Sequence, residues 1–130
     1  MKRLLFPLVL ITAATAAQAD WTRVEHASDD FTLYVDRDTL KNSGVGLFQM
    51  WHLFDYPAAQ EVDGKPFRSL KGQDEYDCDK RMRRDVLHLW HQDGMGNSHN
   101  VKAAYKPGPW TAPEPGSAAE ALLRVACGDK

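Results

Sequence analysis

Cys78 and Cys127 are the only cysteines in the chain, and a covalent bond between them would tie two distant segments together. Whether such a bond forms depends on the compartment, and the N-terminus speaks to that. Lys2 and Arg3 precede an uncharged, mostly apolar run from Leu4 to Ala17, and Ala17-Gln18-Ala19 follows as a small-x-small cleavage site. This is the layout of a secretory signal peptide over residues 1–19, cut between Ala19 and Asp20. The apolar run is shorter than the roughly 20 residues that span a bilayer, and no cysteine near the cut offers a lipid attachment. No stable membrane anchor is therefore expected after cleavage, and the mature chain is expected in the periplasm or secreted. In that oxidising setting the two cysteines read as one structural bridge, against the competing readings of two free thiols or half of a zinc site.

Cutting the 130-residue chain after Ala19 leaves 111 residues, enough for one domain over 20–130. Loss of Lys2 and Arg3 from 16 basic residues, against 18 acidic ones, takes the net charge from −2 to −4. A nucleic-acid binder would carry a strong basic excess, so no nucleic-acid partner is expected.

The middle of the chain alternates with the period of strands. Phe31, Leu33 and Val35 share one face, and Asp36-Arg37-Asp38 reads as a turn. Asn42-Ser43-Gly44 reads as a second turn, ahead of a strand from Val45 to Tyr56. That strand is apolar on both faces, with Val45, Leu47, Trp51 and Leu53 on one and Phe48, Met50 and Phe54 on the other. Pro57 to Pro66 reads as a loop containing an Asp63-Gly64 turn, followed by strands over Phe67–Leu70, Met82–Gln92 and Val101–Tyr105. Asp93-Gly94-Met95-Gly96-Asn97 forms the last hairpin turn. Pro107, Pro109, Pro113 and Pro115 then exclude regular structure until Ser117, which opens a capping box with Glu120. The alanine- and leucine-rich run to Cys127 favours helix, and Gly128 suits its stop. The fold class is thus α+β: an antiparallel sheet with a C-terminal helix that the bridge pins onto it.

Several landmarks together resemble the surface-adhesin protein E family. They are Trp21, Tyr34-Val35-Asp36 with Asp38-Thr39-Leu40, Trp51 with Asp55-Tyr56, Tyr76-Asp77-Cys78, and Trp110 with Pro115-Gly116-Ser117 leading to Ala126-Cys127. The resemblance covers nearly all of the mature chain. It implies a single sheet of six antiparallel strands whose helix is held by the Cys78–Cys127 disulfide. It also implies a non-enzymatic binding role, with a protein partner in the cell envelope or extracellular matrix.

Candidate sites follow from the residues themselves. No GxSxG, HExxH or phosphate-cradling glycine loop occurs, and no arrangement assigns catalytic roles, so an enzyme is not expected. Lys80, Arg81, Arg83 and Arg84 form the one basic run and are the candidate partner-binding patch. Asp74, Glu75, Asp77 and Asp79 stand directly before them, which makes a strand face with local ion pairing the competing reading. On a strand Arg81 and Arg83 would face one way and Arg84 the other. His91 and His99 flank the last hairpin and would offer a haem or divalent-metal contact if cross-strand; exposed histidines holding no cofactor are the expectation. His52 reads as a satisfied sheet residue, Asp36 and Asp38 as turn formers, and Trp21, Trp51, Trp90 and Trp110 as core or helix-docking residues. A lone antiparallel sheet also leaves edges through which a homodimer can form.

Overall fold

The computed structural model describes residues 19–128; the reading of residues 1–18 as a signal lies outside them. Six strands follow one another in an antiparallel meander, each paired with its neighbours in sequence: β1 (Thr22–Val24), β2 (Thr32–Gly44), β3 (Leu47–Val62), β4 (Lys65–Asp77), β5 (Met82–His91) and β6 (Asn100–Ala104). A 3₁₀ turn at Gly94–Gly96 joins β5 to β6, and one helix, α1 (Ala118–Cys127), closes the chain. Among the described residues no helix is long and apolar enough to cross a membrane.

Helix and hairpin signals map onto the structure as read. Ser117 caps α1, its hydroxyl accepting from Glu120 N at 3.2 Å, and Gly128 ends it at φ 70°. Asp63 and Gly64 form the β3–β4 turn with φ of 49° and 73°, the two positive values a type I′ hairpin needs.

Three expected breaks are instead continuous strand. At Asp36–Asp38 β2 bulges: it advances from Asp36 to Lys41 while β3 moves only from Trp51 to Gln49. The Asp36 carboxylate accepts from Asp38 N at 3.2 Å, the local bond of a turn former, but Thr39 carries the ladder across. Its hydroxyl donates to Asp36 O at 2.6 Å and accepts from Trp51 N at 2.9 Å. The turn that follows is Val45-Gly46 rather than Asn42–Gly44, with Gly46 at φ 69° and Val45 98 % exposed at the tip. Of the Pro57–Pro66 loop, residues 57–62 are likewise a bulged continuation of β3 and Lys65-Pro66 open β4, and Pro57 falls in the unpaired stretch between Asp55 and Gln60, where no ladder N–H is needed. Finally, β4 runs through Lys71–Asp77, whose polar residues hid it.

The core lies under α1. Leu122, Leu123 and Ala126 bury against Leu33, Val35, Met50 and Tyr76, flanked by Phe31 and Phe54. The disulfide Cys78–Cys127 ties the end of the helix to the segment after β4, with the two Cα atoms 5.6 Å apart. The opposite face is covered only in part. There the Gly94–Gly96 turn folds back over β3 and β4, with Met95 N donating to Asp55 Oδ1 at 2.9 Å and Gly96 N to the buried Ser69 hydroxyl at 2.8 Å.

Ten residues of helix are too few to persist alone in water. Closing a loop of this size contributes about 4 kcal/mol in the chain-entropy view. Cys127→Ser should therefore lower the thermal unfolding midpoint clearly, and dithiothreitol should lower the wild type to match while leaving the variant unmoved. Two reactive thiols in the unreduced protein would contradict this.

Candidate functional site

The register places two sets of functional side chains on opposite faces. On the helix side His52 of β3 stands opposite Gly72 of β4, which stands opposite His88 of β5. A Cβ at Gly72 would lie 2.5 Å from His52 Nε2 and 3.1 Å from His88 Cδ2, so only glycine lets the two rings meet there. One step along the strands is Asp74. Its Oδ2 takes the Arg83 guanidinium at 3.0 Å from Nε and 2.8 Å from Nη2, and Arg83 also bonds Asp85. His88 Nε2 lies 3.4 Å from Asp85 Oδ1, and Ala119 and Leu122 of α1 roof the group.

Burial sets the electrostatics of this cluster. His52 is 2 % exposed, and burial, helped by the positive charge of Arg83 and by His88, takes its pKa from 6.5 to about 3. Burial likewise lifts Asp74 from 3.8 to about 6, against the pull of Arg83. The Arg83 guanidinium is itself partly desolvated, but the two carboxylates more than offset that and hold it above its ordinary value. Two polar atoms of the cluster have no hydrogen-bond partner in the protein: His52 Nδ1 and Asp74 Oδ1. His52, read from the sequence as a satisfied sheet residue, is thus buried with its Nδ1 unsatisfied.

The second face carries an open groove of about 440 Å³. Trp51 of β3 and Leu89 of β5 form its floor with Lys71 between them on β4, and Trp21, Asp36 and Thr39 form a wall. Asp20 N donates to the buried Asp36 carboxylate at 3.3 Å and so fixes the chain just ahead of Trp21.

The residues singled out from sequence separate accordingly. The basic run does not form one patch. Arg83 turns under the helix. Arg84 goes to the other side, where it bonds Glu75 Oε1 at 2.6 Å and lies 4.7 Å from the Trp110 ring centre. Those bonds, with others from Ser43 and Gln49, outweigh the burial of Glu75 and lower its pKa. Lys80 and Arg81 sit in the turn before β5, Arg81 at φ 57°, so Arg81 is not a strand partner of Arg83.

His91 pairs with Asn100 in the ladder, which leaves His99 outside the paired strand. His91 is buried rather than exposed: its Nδ1 donates to Ser98 O at 2.7 Å, and burial lowers its pKa. The four tryptophans are half-exposed and absent from the core. Trp21 and Trp51 line the groove, while Trp90 packs edge-on to His88 and within 5.3 Å of Lys102 Nζ. The sequence reading missed the His52–Asp74–His88 grouping. Its one local signal is a glycine inside a strand, which marks a close approach.

A six-stranded meander with one face under a disulfide-tied helix, and an aromatic groove on the other face, defines a small sheet-and-helix module. The chain matches the surface-adhesin protein E family over residues 21–128 and belongs to it. Its fold is similar to that of crystal form II of Haemophilus influenzae protein E, with a TM-score of 0.65 at 12 % identity over 88 % of this chain and 92 % of that one. Protein E from non-typeable Haemophilus influenzae gives 0.60 at 11 % identity, over 88 % and 80 % of the two chains. No curated protein matches at the level of sequence.

Opposed shifts within one cluster make a test by pH. His52, depressed in the fold, contributes stability that is lost as pH falls from 6.5 toward 3. Asp74, raised in the fold, works the other way, favouring the fold at low pH and losing that contribution as pH rises from 3.8 through 6. In the wild type the two largely cancel. With a chelator present, Asp74→Asn should therefore lose stability more steeply than wild type between about pH 6.5 and 4, read as the urea midpoint. Equal slopes would mean the two groups do not oppose each other.

Proposed function

We propose that the mature chain is an exported, non-enzymatic binding module that takes a protein partner of the cell envelope or extracellular matrix on the helix-free face of its sheet. The observation that carries this reading is the groove floored by Trp51 and Leu89 and walled by Trp21. Aromatic groups flanked by isolated charges, here Lys71 and Asp36, are the composition that protein interfaces favour. Membership of the adhesin family supports the same reading. On the helix side, by contrast, Arg83 is shared between Asp74 and Asp85.

Tagged mature protein should retain a specific protein from envelope or matrix extracts. A Trp51→Ala/Leu89→Ala variant with unchanged circular dichroism should lose it, with affinity reduced on the order of 30-fold if Trp51 is a hot spot. Background alone from both extracts, or retention undiminished in the variant, would overturn the reading.

A further inference from the structure

We propose that the hollow between α1 and the sheet binds one divalent transition-metal ion of the zinc class, with His52, Asp74 and His88 as its protein ligands. The three residues come from adjacent strands β3, β4 and β5, and one ligand atom from each lies within 4.8 Å of the others. The hollow, bounded also by Phe54, Ala119 and Leu122, holds about 150 Å³, room for an ion and a water.

Donor chemistry selects the class of ion. Two imidazoles and one carboxylate suit zinc and its neighbours, whereas calcium and magnesium take oxygen ligands. Three protein ligands leave the fourth tetrahedral position to water.

An independent observation points the same way. His52 Nδ1 and Asp74 Oδ1 are polar, almost wholly shielded from solvent, and without a hydrogen-bond partner in the protein, Nδ1 lying 4.0 Å from Asp74 Oδ2 and the side chains being 2 % and 1 % exposed. Buried groups of this kind are expected to be bonded. Arg83 explains why the carboxylate has an oxygen to spare. By holding Oδ2 it fixes the orientation of Asp74 and leaves Oδ1 available, the outer-shell support that metal ligands commonly have. Its positive charge opposes a cation, but Asp74 and Asp85 together outnumber it and leave the cluster one net negative charge. Gly72 completes the site by letting both imidazoles lie over the centre of the sheet.

Ligand bonds of about 2.1 Å put ligand atoms about 3.4 Å apart in a tetrahedral site, so the group must contract on binding. His88 can supply that movement. Its side chain is 24 % exposed at the mouth of the hollow, beside Asp85 at 42 %, and the same opening is the way in.

The experiment titrates metal-stripped, tag-free, oxidised mature protein with zinc by calorimetry and with cobalt(II) by visible absorption. One zinc should bind per chain, cobalt should give the intense bands of a tetrahedral site, and zinc should raise the thermal midpoint. His88→Ala, which alters a partly exposed side chain and should leave the fold intact, should weaken zinc binding at least tenfold and abolish the midpoint shift. His91→Ala/His99→Ala should change neither. Absence of saturable one-to-one zinc binding would overturn the proposal and leave a water bridging His52 to Asp74 as the occupant. Zinc binding unaffected by His88→Ala but lost in the His91/His99 variant would also overturn it.

Discussion

A six-stranded meander exposes two faces, and among the described residues there is one ten-residue helix with which to cover either. The Cys78–Cys127 bond resolves that shortage. It holds a helix that would not persist alone against Leu33, Val35, Met50 and Tyr76, while Ser117 and Gly128 supply the caps at its two ends. Leu122, Leu123 and Ala126 then exclude water from the centre of the sheet. Everything unusual about His52 and Asp74 follows from that roof, because only desolvation moves an imidazole and a carboxylate so far in opposite senses.

The covered face is therefore an odd core, apolar at one side and ionic at the other. The Asp74–Arg83 pair need not add net stability, since removing two charges from water offsets much of their attraction. It does fix where the carboxylate points and which of its oxygens is engaged. On the other face the Gly94–Gly96 turn covers Asp55 and Ser69, while Trp51 and Leu89 line an open groove walled by Trp21. Covering one face with α1 is what leaves an aromatic groove on the other.

Local chemistry was legible in the sequence where a residue acts on its own neighbours. The Ser117 cap, the Gly128 stop, the Asp63-Gly64 hairpin and the apolar alternation of β2 all belong to that class. So did the resemblance to the protein E family, which rests on short motifs. Features that need a second strand were not legible. Lys71–Asp77 reads as polar and loop-like until Arg83 and Arg84 stand opposite it in register and take up Asp74 and Glu75. Asp36 looks like a turn former because it is one locally, and only Thr39, bonded to Trp51 N, shows that the ladder continues past it. The meeting of His52 and His88 across Gly72 depends on the pairing of three strands, and a shift of one residue would separate them.

The tied helix keeps water from the polar cluster, and the imidazole of His52 reports on that directly. In a pH titration followed by nuclear magnetic resonance with chelator present, the ring signals of His52 in the oxidised protein should stay at their neutral positions from pH 7 down to about 4, given a pKa near 3. After reduction of Cys78–Cys127 the same signals should titrate close to the ordinary value of 6.5. A His52 that already titrates near 6.5 with the disulfide intact would contradict the account.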